Sequence, residues 1–182
     1  MNVNQLKDRY DTIIIGAGAA GVFAANCLTS DEASNHEVLV IEKNNKALTK
    51  VAVSGGGRCN VTNGCFDIAK LIKNYPRGSK ELRGPFHTFS PPDVIEWFSK
   101  RGVELKQEED GRIFPVTDNS QTIIDCLMKG AQRDYTLAYR CKIETVQKKD
   151  DGEFVIILKD GGEIRAKNVL ITTGSSKEFL SL

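Results

Sequence analysis

Residues 11–21 read DTIIIGAGAAG, and the order of residue types within this stretch decides the fold. Residues 11–15 are a short β-branched apolar run, the composition of a buried strand. GAGAAG breaks it, and VFAANCLT (22–29) continues as a small, apolar helix. HEVLVIE (36–42) then returns as a second buried strand, so residues 11–42 make one βαβ unit. Gly16, Gly18 and Gly21 hold the G-x-G-x-x-G spacing, with Ala19 and Ala20 between them. Gly16 permits the tight turn, Gly18 lets the backbone approach a pyrophosphate, and Gly21 lets the helix pack closely on the strand. The helix start presents free N–H groups and a positive dipole end to phosphates. An acid is expected about 20 residues further on to accept ribose hydroxyls. Glu42 stands there, followed by Lys43, and an acid at this point argues for a ribose without a phosphate.

NAD and FAD both satisfy that fingerprint, so the rest of the chain has to separate them. The next segment, 43–64, reads as a long loop rich in Gly, Asn and Thr, and loops of that length in compact domains are usually functional or disordered. Within it SGGGRCN supplies Ser54, three consecutive glycines (Gly55, Gly56, Gly57), Arg58, Cys59 and Asn60. Three glycines permit positive φ and close approach of main-chain N–H groups to a ligand, and Arg58 offers charge-assisted hydrogen bonds to phosphate. An ordinary NAD domain would pass directly into another helix and strand here.

The bounds are consistent with a small-molecule enzyme. At 182 residues the chain suits one domain, 1–182, with its own core. With 25 Lys and Arg against 24 Asp and Glu, its net charge of +1 provides no global field for DNA or an anionic membrane. MNVNQLKDRY lacks the apolar run of a signal peptide, and no stretch is long and apolar enough to span a bilayer, so a cytoplasmic protein is expected. The five cysteines form no C-x-x-C and have only two histidines to join them, so they read as reduced thiols and no metal site is expected.

Further along, helices are predicted at 66–73 and 91–101, the second with Ser90 as N-cap, Pro91 in the first turn and Gly102 as its stop. VELKQEEDGRIFPV (103–116) reads as a hairpin about Asp110-Gly111. A helix follows over 119–133. Strands at 138–148, 153–159 and 162–167, separated by Asp-Gly turns, suggest a three-stranded antiparallel meander. A separate buried strand, 168–172, ends at Thr173 and Gly174.

The acid followed by Gly-Gly-Arg, together with a meander leading into ITTG (171–174), resembles the two-dinucleotide-binding-domain flavoproteins of the glutathione-reductase type. The fuller match resembles one branch, the aminoacetone-oxidase-like or bile-acid Δ4,6-reductase-like NAD(P)/FAD-dependent oxidoreductases. It is carried by GAGAAG (16–21), Lys46 and Lys50, SGGGRCNVTN (54–63), FSPPD (89–93) and GRIFPVTD (111–118), and covers about residues 11–174. The resemblance implies an α/β, Rossmann-like FAD-binding domain of glutathione-reductase type with an antiparallel β-meander. It implies FAD as cofactor, with NAD(P)H as a candidate electron donor. The glycines at 16, 18 and 21 would hold the pyrophosphate and Glu42 the ribose. Lys50 and residues 54–60 would line the flavin side, and Thr173 and Gly174 close the family's final strand. Ile143 is a candidate for the adenine, with strand core as its alternative reading.

Members of that family continue beyond the final strand into a second glycine, a substrate domain and a returning segment. Here Ser175 takes the second glycine's place and residues 177–182 match nothing recognised. A C-terminally truncated chain lacking the substrate domain is therefore expected, with a missing C-terminal half or partner chain. No catalytic residue is assigned. His87 is a candidate proton donor beside a flavin, but a packed or partly exposed histidine is the competing reading, and Cys59 reads as structural. The expected function is the FAD-binding part of a flavin-dependent oxidoreductase acting on an activated C–C or C–N bond of an unidentified small molecule. Two alternatives stand beside it: a non-catalytic dinucleotide-binding module, and a flavin-dependent reductase of ribosomal RNA uridine. For the last, Lys70, Lys73, Arg77, Lys80 and Arg83 form a local basic stretch that could meet RNA phosphates, against its reading as a solvated face. A plain NAD-dependent dehydrogenase would leave SGGGRCN unexplained.

Overall fold

The computed structural model describes residues 6–30, 35–131 and 133–175, so the unmatched 177–182 lie outside the described residues. In chain order the elements are β1 (Arg9–Ile15), α1 (Ala19–Leu28), β2 (Val38–Ile41) and α2 (Thr49–Val53), then a 3-10 turn at Ser54–Gly57. Next come β3 (Thr62–Asn63), α3 (Ile68–Leu71) with a 3-10 turn at Ile72–Asn74, α4 (Ser79–Thr88) and α5 (Pro91–Ser99). The chain continues through β4 (Leu105–Gln107), β5 (Arg112–Pro115), α6 (Ser120–Met128), β6 (Thr136–Ala138), β7 (Ile143–Lys148), β8 (Phe154–Leu158) and β9 (Glu163–Ile171). These elements pack as two compact units, one of Met1–Lys50 with Leu127–Leu182, the other of Val51–Cys126.

The first unit is built on a six-stranded sheet in the order β6-β2-β1-β9-β8-β7. β1 runs parallel to β2 and β9, and β2 parallel to β6, which is the βαβ arrangement that 11–42 predicts. Ile13, Ile15, Leu39 and Ile41 share one core with Ile156, Leu158, Ile164 and Ala166. Ile14 and Val40 alternate with them and are also fully buried, as are Val22 and Ala25 of α1. Burial on both faces is why β1 and β2 read as continuous apolar runs rather than alternating ones. Each such side chain contributes about 1.5–3 kcal/mol by leaving water.

The meander forms as expected, β7 to β8 to β9, all antiparallel. Its boundaries differ from the sequence reading in two places. Segments 162–167 and 168–172 are one nine-residue strand, β9, whose first half pairs with β8 while Arg9–Ile15 lies parallel along its length. Nothing at Lys167–Asn168 turns the chain, so the strand carries through from one partner to the next. Segment 138–148 is two strands, because Arg140 adopts φ 55° between β6 and β7.

In the second unit β3, β5 and β4 form an antiparallel sheet, with Asp110-Gly111 at the hairpin turn as predicted. α5 starts at Pro91 as expected, and the Ser90 backbone N–H donates to the Asp93 carboxylate at 2.8 Å. Gly102, at φ +79°, follows its end. Phe98, Val103, Ile113 and Phe114 are buried. Several features depart from expectation: the long loop contains α2, a 3-10 turn and β3; the helix expected over 66–73 is α3 with a 3-10 turn; the one expected over 119–133 ends at Met128; and α4 is an element that the sequence reading does not assign. Gly84-Pro85 looks like a breaker, yet Pro85 lies in the last turn of α4, where it removes one ladder hydrogen bond from a helix that ends three residues on.

Candidate dinucleotide site

The glycine loop connects β1 to α1, and each of its three glycines meets a different constraint. Gly16 has φ +107°, and a Cβ there would lie 2.8 Å from the Thr172 carbonyl oxygen. At Gly21 a Cβ would lie 2.0 Å from the Gly16 carbonyl oxygen and 2.6 Å from Thr172 Oγ1. The Thr172 hydroxyl is held there by donating to the carbonyls of Ile15 (3.0 Å) and Gly16 (2.8 Å). These two glycines are required by the chain itself. Gly18 is different: it caps α1 in an ordinary extended conformation, φ −80° and ψ −174°, and nothing lies within 4 Å of where its Cβ would be. Ala19 and Ala20, the first helical residues, are exposed beside it, and first-turn N–H groups have no acceptor within a helix.

Glu42 follows β2 and is only 9% exposed. Its Oε2 accepts the Ala17 backbone N–H at 3.0 Å. Its Oε1 accepts both the backbone N–H (2.9 Å) and the side-chain amide (2.7 Å) of Asn44. A carboxylate offers about four acceptor positions, so one on Oε2 is left for a further donor. The backbone of Glu42 is fixed as well, its N–H donating to Ala138 and its carbonyl accepting from Cys141. Tyr139 sits between these partners. Burial first, and then the Glu42 charge, push its phenol above the usual tyrosine range.

Thr173 lies against the same loop, its Cα being 3.3 Å from the Cβ that Gly16 lacks, and Gly174 follows it with φ +64°. The exposed Lys50 comes to the same place, its Nζ 3.5 Å from the Cβ position of Gly174. Lys43 and Lys46 are exposed beyond β2. Ile143 begins β7, the strand at the far edge of the sheet from β6, and packs half-buried on the core. Thr172 and Asn44 are the residues that the sequence reading missed; Thr172 holds the loop from the end of β9, Asn44 fastens the acid from two residues on, and no spacing rule marks either.

In the second unit, residues 54–60 form a turn in which Gly55, Gly56 and Gly57 take φ of 56°, 69° and 88°, and Cys59 takes 63°. The Ser54 carbonyl accepts the Cys59 N–H at 3.0 Å, and Ser54 Oγ donates to Val51. Gly55 packs on Phe114: a Cβ would lie 2.8 Å from the ring. Nothing lies within 4 Å of the Cβ positions of Gly56 and Gly57. The Arg58 guanidinium stacks 4.0 Å over the same Phe114 ring and pairs with Glu108 and Asp118. It is thus bound to carboxylates of its own unit. The Asn60 amide, oriented to satisfy its neighbours, donates to the carbonyls of Thr62 (2.9 Å) and Ile113 (3.3 Å). SGGGRCN and GRIFP, far apart in sequence, are therefore one packed structure joined by β3 and β5. Burial raises the Cys59 thiol pKa, which keeps it protonated and unreactive at neutral pH.

His87 is exposed in the last turn of α4. Among the described residues no group of three or more His, Cys, Asp or Glu could hold a metal, and no helix is long and apolar enough to cross a membrane. None of the five cysteines is in a disulfide.

A parallel sheet, a glycine turn closed by its own carbonyls except at one open position, and a fixed acid after β2 define a dinucleotide-binding Rossmann domain. More particularly, the chain belongs to the family of the HI0933-like protein Rossmann domain, which it matches over residues 10–178. It is 31% identical over 168 residues to the ribosomal RNA dihydrouridine synthase of Escherichia coli (strain K12), covering 92% of this chain and 40% of that protein. It is 25% identical over 162 residues to the 3-dehydro-bile acid delta(4,6)-reductase of Clostridium scindens, covering 88% of this chain and 38% of that protein. The chain thus spans about two fifths of the length of these relatives. The crystal structure of Thermovibrio ammonificans THI4 shares the fold, with a TM-score of 0.58 at 15% identity over 95% of this chain and 60% of that one. The fold is Rossmann-like, as the resemblance implies.

Proposed function

We propose that this chain is the FAD-binding part of a flavin-dependent oxidoreductase. The observation that carries the reading is Gly18: neither backbone conformation nor any neighbour requires a glycine there, so its missing side chain leaves room for something outside the chain. A pyrophosphate fits, because the exposed N-terminal turn of α1 supplies donors and the positive end of the helix dipole. Gly16, Gly18, Ala19, Ala20 and Gly21 would hold it, and the remaining acceptor position of Glu42 would take a ribose hydroxyl. Lys43 flanks that acid. Thr173 adjoins the loop and, with Gly174 and Lys50, would complete this part of the site. Ile143 is retained as the adenine candidate. The turn of Ser54, Gly55, Gly56, Gly57, Cys59 and Asn60 is retained as the flavin-side candidate on its own backbone, where nothing lies within 4 Å of the Cβ positions of Gly56 and Gly57. Arg58 is reassigned from phosphate ligand to support of that turn, since Glu108, Asp118 and Phe114 already engage it.

Bound FAD supplies hydride transfer; the chain's own contribution is to bind and orient it and to place Glu42 against its ribose. NAD(P)H is proposed as the electron donor and an activated C–C or C–N bond as the target. Reduced cysteines support a cytoplasmic setting. A second reading takes a uridine of ribosomal RNA as substrate; it draws on the name of the Escherichia coli relative and on the basic stretch of α3 and α4. Titration of the chain with FAD and, separately, NAD, followed by flavin fluorescence and calorimetry, tests the first reading. Saturable one-to-one binding of FAD, with NAD at least ten-fold weaker, is the expected result; preference for NAD would overturn it.

A further inference from the structure

The segment from Phe66 to Phe89 concentrates charge in a chain that is otherwise balanced. It holds five lysines and arginines against two acids, Asp67 and Glu81. Asp67 is committed to its own helix, its carboxylate accepting from the N–H groups of Ala69 and Lys70. Lys70, Lys73, Arg77, Lys80 and Arg83 are all exposed, and among the described residues none of them forms an ion pair. Helical spacing orders part of this set: Lys80, Arg83 and His87 recur at i, i+3 and i+7 on one face of α4. Leu82 and Phe86 take the other face, where Phe86 meets Tyr75 with ring centroids 5.6 Å apart. That contact ties α4 to the segment carrying Lys70 and Lys73, so the cations belong to one packed element pair. Two aromatic rings stand among them partly in solvent, Phe66 at 55% and Tyr75 at 39% exposed.

Unpaired cations with interleaved exposed rings suit a single-stranded nucleic acid, whose phosphates meet the cations and whose unstacked bases have faces for the rings. We propose that the exposed face of α3 and α4 is a docking surface for the phosphate backbone of single-stranded RNA. The inference rests on the second functional reading, which it deepens by naming the surface. Five engaged phosphates would give a log–log salt slope near −3.5, at about −0.7 each, and so a roughly hundred-fold loss of affinity between 50 and 200 mM salt.

The probe is a fluorescein-labelled, uridine-containing RNA hairpin with a single-stranded loop, titrated with the 182-residue chain and read by anisotropy. The variant K73Q/K80Q/R83Q should bind several-fold more weakly and show a salt slope shallower by about 2. A control, K142Q/K149Q/K159Q, removes the same number of charges from the meander and should leave both unchanged. Equal loss in the two variants, no saturable RNA binding by the unmodified chain at 50 mM salt, or tighter binding to phosphatidylglycerol vesicles than to RNA would each overturn the proposal. FAD titration of the same samples keeps the two claims apart. Loss of RNA with FAD retained localises the surface, whereas RNA binding without FAD binding would leave the surface standing and remove the flavoprotein reading.

Discussion

At the residue scale, the three glycines of one motif separate into two kinds. Gly21→Ala would drive a Cβ to 2.0 Å from a backbone oxygen that Thr172 fixes in place. We expect it to destabilise the chain by about 3 kcal/mol or more, the range of severe steric defects, as measured by urea unfolding. Thr172→Val deletes the hydroxyl that donates to both Ile15 and Gly16, and should lower stability by about 1–2 kcal/mol in the same assay. An unchanged midpoint for either would mean that the loop is not clamped against the end of β9. Gly16, Gly18, Gly21 and Glu42 were legible in the sequence because each follows from local spacing and a known phosphate-loop geometry. Thr172 was not, since its contribution depends on which strand end arrives beside the loop, and Asn44, two residues after Glu42, was not because no spacing rule marks a local clasp on the acid.

At the element scale, strands and capped helices announce themselves while continuity does not. β1, β2, α5 and the β4–β5 hairpin could be read from apolar runs, Ser90-Pro91 and Asp110-Gly111. α4 could not, because a Gly-Pro pair argues for a break unless one knows that it falls in the final turn. β9 reads as two segments because its first half alternates exposed polar residues with the buried Ile164 and Ala166, whereas its second half ends in a continuous apolar run whose Leu170 and Ile171 are exposed. The glycine turn shows the same limit: its three positive-φ glycines were legible, but its foundation on Phe114 was not. Arg58→Ala removes a guanidinium stacked on that ring and its two partly exposed ion pairs, and should lower the unfolding midpoint in chemical denaturation. Arg58→Lys should recover only part of that, because an ammonium restores charge but not the planar stack. Full recovery by lysine in chemical denaturation would show that charge alone supports the turn.

At the scale of the whole molecule, buried titratable groups set an upper pH limit. Burial pushes the Cys141 thiol up to about 11 from an ordinary 9.0, and the Tyr135 phenol up to about 12 from 10.0. Both pKa values are raised, so the folded chain binds more protons than the unfolded one between the two limits. Stability is therefore fully present below pH 9 and declines as pH rises from about 9 through 11 and toward 12. A two-unit shift corresponds to about 2–3 kcal/mol for each group. Cys141→Ala should flatten the part of this decline between pH 9 and 11, measured by unfolding midpoints at half-unit steps. A slope identical to that of the parent chain would assign the decline elsewhere.

All of these features hold a nucleotide-binding fold together, and the claim that the fold still holds a dinucleotide rests on Gly18, the one glycine of the G-x-G-x-x-G loop that nothing in the chain requires. The most direct test is FAD binding by Gly18→Val, compared with the parent chain at equal stability. The substitution meets no neighbour within 4 Å and should change folding by no more than about 1 kcal/mol, the scale of a helix-cap preference. The account predicts that FAD affinity falls at least ten-fold in a chain whose unfolding midpoint is nearly unchanged. A folded Gly18→Val chain that binds FAD as tightly as the parent would contradict it, because the space beside α1 would then not be where the pyrophosphate lies.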